Sequence, residues 1–185
     1  WCQLFSEPSA GSDVAGLRSK AVQDGENWIV NGQKVWTSGA HFSDFGILVV
    51  RHDPSLEKHK GLTFFFVDMK SPGIEVKPIK QLTGGSSFNE VYFNDVVIPD
   101  SQRLGEIGDG WKVAITTLMN ERLAVGDADG VDANEAFELA KKHDKDGEQL
   151  IDNNAVRESI ADWYCEASGL KNSKLRTMST LSRGD

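Results

Sequence analysis

Apolar and polar positions follow one pattern up to Pro99-Asp100 and another pattern beyond it. The first part contains short apolar or alternating runs separated by turn signals, which is typical of β-strands. Predicted strands lie at 17–22, 28–30, 34–37, 45–51, 62–67, 74–79 and 88–97. Asn31-Gly32 is a typical two-residue hairpin turn and is expected to join 28–30 to 34–37. Several short strands with regular turns predict an antiparallel β-barrel or a two-sheet sandwich.

Helical spacing takes over in the second part of the chain. The first apolar stripe consists of Trp111, Val113, Ala114, Ile115, Leu118, Leu123 and Val125, and Asp109 precedes it as a candidate N-cap. A short helix is predicted over 133–142, and an amphipathic helix from Ala155 is expected to continue past Asp185. The predicted fold class is therefore α+β, with a β domain over 1–105 and the beginning of an α-helical bundle over 106–185.

Composition and charge exclude several classes of function. The chain has 185 residues, of which 39% are hydrophobic, as in a folded domain with part of another. Its net charge is −8 and it has no Lys/Arg block, which argues against nucleic-acid binding. Cys2, Cys165 and the histidines show no disulfide or metal-ligand spacing, so neither kind of site is predicted. Trp1 in place of Met, and the open helical pattern at the other end, suggest a chain cut at both ends.

Four segments carry more specific signals. Residues 4–13 read Leu-Phe-Ser-Glu-Pro-Ser-Ala-Gly-Ser-Asp, and residues 31–39 read Asn-Gly-Gln-Lys-Val-Trp-Thr-Ser-Gly. Residues 93–99 read Phe-Asn-Asp-Val-Val-Ile-Pro, and a further segment runs from Gly108 to Arg122. In this order they resemble the acyl-CoA dehydrogenases: the two signature segments of the middle domain, the segment that leaves it, and the start of the C-terminal helices. The resemblance implies a flavin-binding β domain with FAD as cofactor.

The resemblance assigns cofactor contacts to Gln3, Phe5, Ser6, Trp36, Thr37 and Ser38. A flavin ring needs a flat apolar wall and hydrogen-bond partners at its polar edge. Trp36 can supply the wall, and the hydroxyls of Thr37 and Ser38 can reach the edge. The alternative roles are a core tryptophan and turn or cap hydroxyls. Glu7 lies beside these residues, but the resemblance implies a structural role for it, with its carboxylate bonded to nearby backbone groups.

The resemblance also implies where an acyl-CoA binds. Ser12 matches a position that contacts the CoA portion, and Arg122 matches an arginine near the thioester; a turn hydroxyl and a surface ion pair are their alternative roles. The family's catalytic base is a glutamate of the C-terminal bundle, expected beyond the end of this chain. No catalytic residue is therefore named, and the chain by itself is expected to be inactive.

The family reaction is the oxidation of an acyl-CoA to a trans-2-enoyl-CoA in fatty acid β-oxidation, with electrons passed to an electron-transfer flavoprotein. An acyl-CoA oxidase is an alternative that these segments do not separate. A non-catalytic flavin- or CoA-binding partner subunit is a third interpretation, because the arginine segment that many members use to reach a neighbouring subunit's FAD is not recognisable. A homo- or hetero-oligomer (dimer or tetramer) is expected, in the cytoplasm of a bacterium or the mitochondrial matrix of a eukaryote.

Overall fold

A computed structural model of the chain describes residues 1–124, 132–145 and 147–183. These residues form two compact units, Trp1–Leu118 and Met119–Asp185. Val125 of the predicted first helical stripe lies outside the described residues. The β-rich and helical parts predicted from the hydrophobic pattern are both present, so the α+β class is confirmed.

The first unit is built on one curled sheet, which contains seven strands among the described residues. The strands are β1 (Cys2–Leu4), β2 (Lys20–Asp24), β3 (Asn27–Ser38), β4 (Phe45–Arg51), β5 (Leu62–Asp68), β6 (Ile74–Ile79) and β7 (Phe88–Pro99). Their order is β1-β4-β2-β3-β7-β6, and β5 pairs with β4. The sheet is a half-barrel and is mixed rather than purely antiparallel, because β4 pairs in parallel with both β1 and β2. The antiparallel expectation failed here because parallel partners are far apart in sequence and leave no turn signal between them.

The hairpin predicted at Asn31-Gly32 is wrong. Residues 27–38 form a single strand, and its turn to β2 lies at Gly25-Glu26, since Asp24 pairs with Asn27. Asn31-Gly32 is instead a β-bulge opposite β7, where the register changes between Val30 and Gly32. A Cβ atom on Gly32 would lie 2.3 Å from the Ser19 hydroxyl oxygen, so the glycine permits close approach of two segments.

The strand predicted at 17–22 begins later than expected. Val14–Gly16 form a 3₁₀ turn, and β2 starts at Lys20. The backbone N–H groups of Arg18 and Ser19 donate to the Glu7 carboxylate instead of to a neighbouring strand. A side chain from another segment therefore takes the place of a sheet partner here.

Both faces of the sheet are apolar. Alternate residues of the same strand belong to different buried clusters: Phe65 lies in one and Phe64 in the other. Trp111, Val113, Ala114 and Leu118, from the part of helix α1 (Gly110–Ala124) that lies in the first unit, join the cluster of Phe64. Helix α1 begins at a glycine because a Cβ atom on Gly110 would lie 2.5 Å from the carbonyl carbon of Leu62.

The second unit contains helices α2 (Ala133–Lys142) and α3 (Asn154–Ser182), with a two-residue strand pair, β8 (Asp144–Lys145) and β9 (Glu148–Gln149), and a 3₁₀ turn (Leu150–Asp152) between them. Asp132 and Glu135 form a capping box at the start of α2, which satisfies backbone N–H groups of its first turn. Helix α3 is described up to Ser182, and its expected continuation past Asp185 lies outside the described residues and stays a prediction. The Ser182 hydroxyl bonds the carbonyl of Ser179 and closes the last turn.

Asp100, directly after β7, gives the fold a testable acid sensitivity. Its carboxylate accepts hydrogen bonds from Arg103 Nε (2.8 Å) and from the Trp28 indole N–H (2.8 Å). These bonds lower the pKa of Asp100 to about 2. A carboxyl whose pKa is lower in the folded state stabilises the fold above its ordinary pKa, and this contribution disappears as the pH falls toward 2.

We expect Asp100→Asn to lower the Tm most at neutral pH, with the difference from wild type shrinking below about pH 4. The measurement is thermal unfolding of both proteins between about pH 7 and about pH 2.5. Asp24→Asn, an exposed aspartate of the neighbouring hairpin, is the control and should leave the Tm unchanged. A Tm difference for Asp100→Asn that is constant at every pH would contradict this account.

Candidate functional site

The segment after β1 lies directly against the middle of β3. The backbone N–H of Val35 donates to the carbonyl of Ser6 at 2.9 Å. Glu7 and Ala10 exchange two backbone hydrogen bonds of 2.9 and 3.0 Å, which folds the Glu-Pro-Ser-Ala stretch into a tight turn. The structure therefore brings together the two segments that carry the sequence signature, although they are separated by β2 and its hairpin.

A buried ion pair joins these two segments. Lys34 Nζ lies 2.9 Å from Glu7 Oε1, and the two side chains are 0% and 4% exposed. Lys34 also donates to the Phe5 carbonyl at 3.1 Å. The Glu7 carboxylate accepts from the backbone N–H groups of Arg18 (2.6 Å) and Ser19 (2.9 Å). One carboxylate thus connects three segments of the chain.

The Glu7 carboxylate is buried and both of its oxygens accept hydrogen bonds within the chain, which argues against a role as a proton acceptor. Burial raises the pKa of Glu7, but the charge of Lys34 and the hydrogen bonds outweigh it, so that the pKa is lowered. Burial lowers the pKa of Lys34 to about 8, against the attraction of Glu7. Both groups are therefore charged at neutral pH and bonded to one another. The predicted structural role of Glu7 is confirmed.

The end of β3 presents alternate side chains to solvent around a second bulge. The register changes between Lys34, opposite Val91, and Thr37, opposite Asn89. Trp36, inside this bulge, has a φ of +60°, which is rare for a large aromatic residue. Its indole is 60% exposed and meets the Phe88 ring edge-to-face at 6.1 Å.

The predicted cofactor residues differ in exposure. Gln3, Trp36 and Ser38 are exposed and Ser6 is half-buried. Phe5 and Thr37 are buried, and the Phe5 ring packs edge-to-face on Phe64 at 5.6 Å. Phe5 therefore fixes its segment to the core. The contacts of all six residues with a cofactor stay predictions.

The two predicted substrate residues lie in different units. Ser12 is exposed in the loop that follows the Glu7–Ala10 turn. Arg122 is exposed in the last turn of α1, in the second unit. Their contacts with an acyl-CoA stay predictions.

Two residues that organise the site were missed by the sequence analysis. Lys34 was taken only as part of a motif, because a strand lysine is ordinarily exposed. Asn89, on β7, is fully buried and donates from Nδ2 to the Thr37 carbonyl at 2.9 Å. The ion pair could have been predicted, because one signature segment contains the carboxylate of Glu7 and the other contains Lys34. Nothing in the sequence pointed to Asn89.

The arrangement fits a flat conjugated ligand better than an ion. An exposed indole next to an exposed hydroxyl offers a stacking wall and a hydrogen-bond partner at one strand end. Two buried polar atoms there, Thr37 Oγ1 and Asn89 Oδ1, have no hydrogen-bond partner in the described part of the chain.

Among the described residues, no group of three or more His, Cys, Asp or Glu side chains is placed to share a metal ion. Among those residues, no helix is both long and apolar enough to span a membrane.

Comparison with known proteins identifies the family. Residues 2–96 match the family model "Acyl-CoA dehydrogenase, middle domain", and residues 108–185 match "Acyl-CoA dehydrogenase, C-terminal domain". The domain boundary predicted between residues 105 and 106 falls between the two matches and stays a prediction.

Two curated relatives illustrate the sequence likeness. The chain is 54% identical over 125 residues to acyl-CoA dehydrogenase FadE34 of Mycobacterium tuberculosis, covering 68% of this chain and 18% of the relative. It is 32% identical over 174 residues to the caffeyl-CoA reductase-Etf complex subunit CarC of Acetobacterium woodii, covering 90% of this chain and 45% of the relative. The chain thus spans less than half the length of both proteins.

Solved structures share the fold over nearly the whole chain. An acyl-CoA dehydrogenase from Geobacillus kaustophilus superposes with a TM-score of 0.82 at 26% identity, covering 100% of this chain and 50% of that one. The ChsE4-ChsE5 complex from Mycobacterium tuberculosis gives a TM-score of 0.77 at 30% identity, covering 98% and 48%. Family models, curated relatives and solved structures agree with the joined signature segments, and the chain belongs to the acyl-CoA dehydrogenase family.

Proposed function

We propose that the protein containing this chain is an FAD-dependent dehydrogenase that oxidises an acyl-CoA to a trans-2-enoyl-CoA. The observation that supports this most is the joining of the two signature segments by the Glu7–Lys34 pair, beside the exposed Trp36 and Ser38. A buried ion pair at this place holds two binding segments in a fixed relation, as a preorganised cofactor site requires.

The residues of the chain have separate roles in this proposal. When bound, the flavin supplies the acceptor for a hydride from the substrate carbon β to the thioester. Trp36 forms the flat wall of the site, and Ser38 and Gln3 offer hydrogen-bond partners along the ring. Phe5 anchors the segment that carries Ser6. Ser12 is assigned a contact with the CoA portion of the substrate, and Arg122 separately a contact near the thioester. No residue of this chain is assigned as the proton-abstracting base.

The proposed partners follow from the relatives. CarC is a subunit of a complex whose name includes an electron-transfer flavoprotein, and ChsE4 and ChsE5 form a complex with one another. We propose an electron-transfer flavoprotein as the electron acceptor of this protein, and an oligomer with identical or different subunits as its assembly. The cytoplasm of a bacterium, or the mitochondrial matrix of a eukaryote, is the proposed location.

The test is the visible absorption spectrum of the full-length protein, purified without added cofactor. We expect a flavin band that bleaches anaerobically on addition of an acyl-CoA. Ser38→Ala should weaken FAD binding by roughly threefold to tenfold, the loss of about one hydrogen bond. Ser101→Ala, an exposed serine after β7, is the matched control and should leave the FAD affinity unchanged.

Other outcomes assign other functions. A colourless protein that also fails to bind added FAD contradicts the proposal and favours the non-catalytic partner subunit. A flavoprotein that consumes oxygen stoichiometrically with the acyl-CoA is an oxidase. Wild-type FAD affinity in Ser38→Ala would remove Ser38 from the cofactor site without affecting the assignment of the reaction.

A further inference from the structure

The pairing of β3 with β7 is interrupted by two bulges of different character. At the first, Asn31 and Asp95 are exposed and exchange two hydrogen bonds of 2.9 Å. At the second, Asn89 is fully buried opposite Thr37, next to the exposed Trp36 and Ser38. The same pair of strands therefore contains one asparagine at a solvent-exposed bulge and one behind the candidate cofactor site.

Asn89 holds one particular peptide group. Its Nδ2 donates to the carbonyl oxygen of Thr37 at 2.9 Å. That carbonyl belongs to the planar peptide that links Thr37 to Ser38, so the bond fixes the plane of the peptide and the direction of its N–H. The bond thereby restrains, from the buried side of the strand, the backbone that leads to the exposed Ser38.

Trp36, the residue before Thr37, is held in an unfavourable conformation. Trp36 lies in the left-handed region with a φ of +60°, which a bulky residue adopts only where the surroundings impose it. Buried contacts fix residues on both sides of it: Lys34, two positions earlier, bonds Glu7, and Thr37, the next residue, accepts from Asn89. Trp36 is thus exposed between two anchored positions.

Fold stability alone does not explain why the contact between Asn89 and Thr37 is polar. Asn89 Oδ1 and Thr37 Oγ1 are buried and have no hydrogen-bond partner among the described residues. Buried polar atoms without partners destabilise a fold, and an apolar pair of similar size would avoid that penalty. Asn89 differs from an apolar residue in that its hydrogen bond orients the peptide group between Thr37 and Ser38.

We propose that Asn89 is a positioning residue for the cofactor: through its bond to the Thr37 carbonyl it sets the orientation of Trp36 and Ser38 toward a bound flavin. The inference rests on the proposed function, because it assigns a flavin to this strand end. It can be tested separately from that function, because the hydrogen bond between Asn89 and Thr37 is present in the chain without cofactor.

The test compares Asn89→Leu with Asn31→Leu in the full-length protein. Leucine has the branching and the number of side-chain heavy atoms of asparagine but lacks the donor. It also removes the unpartnered oxygen, so Asn89→Leu should fold. For Asn89→Leu we expect an FAD dissociation constant raised about tenfold and a shifted flavin absorption spectrum. We expect faster amide hydrogen exchange in residues 35–39 even without FAD. Asn31→Leu should leave the FAD affinity and spectrum unchanged, and should speed exchange only around its own bulge.

A second variant uses protonation to restore the donor. In Asn89→Asp a protonated carboxyl can donate to the Thr37 carbonyl, whereas a charged carboxylate repels it. We expect the FAD affinity of Asn89→Asp to approach the wild-type value as the pH falls from about 8 to about 5, a dependence that Asn89→Leu should lack. A contribution of Asn89 to folding alone would change the Tm without producing this difference between the two variants.

Two failures have different meanings. A flavin-containing wild type, together with an Asn89→Leu variant that matches Asn31→Leu in affinity, spectrum and exchange, overturns this inference and leaves the proposed function intact. A wild type that binds no flavin overturns the proposed function, and the positioning role falls with it.

Discussion

Lys34→Met is expected to lower the free energy of unfolding by about 3–5 kcal/mol, the usual penalty for removing one partner of a buried ion pair. The substitution leaves the Glu7 carboxylate buried with two backbone N–H bonds and no counter-charge. It also leaves the Phe5 carbonyl without the Lys34 donor. Urea unfolding followed by tryptophan fluorescence measures the change.

A double substitution separates the ion pair from its surroundings. If the loss comes from an uncompensated charge, adding Glu7→Gln to Lys34→Met should recover part of the stability, so that the two effects are not additive. Lys70→Met is the matched control, because the Lys70–Asp44 pair has the same 2.9 Å separation but is highly exposed. That control should not change the stability measurably. A Lys34→Met protein as stable as Lys70→Met would refute the structural role of the pair.

Phe65→Ala is expected to destabilise the first unit by about 3–5 kcal/mol. The Phe65 side chain is 0% exposed, and its ring meets the Trp28 indole at 5.5 Å in the larger of the two clusters. Truncation removes the buried apolar area and leaves a cavity that the curled sheet cannot close completely. Urea unfolding of the same protein provides the measurement.

Neighbours on the same strand provide the controls. Phe64→Ala should have an effect of similar size, because Phe64 is equally buried on the opposite face, against Phe5. Phe66→Ala should cost clearly less, since Phe66 is only half-buried. A large loss for Phe65→Ala with a small one for Phe64→Ala would show that β5 does not carry apolar clusters on both of its faces.

The sequence predicted most of the elements because their signals are local. The apolar runs at 45–51 and 62–67 became β4 and β5, which are covered on both faces, and the short helix at 133–142 was confirmed residue for residue. Capping by Asp132 and Glu135 explains why that short helix is well defined. Periodicity and capping depend on neighbouring residues, which the sequence displays directly.

The prediction failed where distant segments override a local preference. Asn31-Gly32 has the composition of a hairpin turn, but β7 pairs with residues on both sides of it, so the strand continues through a bulge. Arg18 and Ser19 have strand-like neighbours, yet their N–H groups are taken by the Glu7 carboxylate. In both places the competing partner is far away in the chain.

The sequence by itself determined the α+β class, most of the strands and helices, and the resemblance to acyl-CoA dehydrogenases, because these depend on local patterns and motifs. Only the tertiary structure decided that Glu7 and Lys34 form a buried pair, that Thr37 points inward while Trp36 and Ser38 are exposed, and that Asn89 holds the peptide between them. Distances and burial arise when β1, β3 and β7 come together in the sheet. A change of register by one residue in β3 or β7 would turn Lys34, Thr37 or Asn89 to the opposite face.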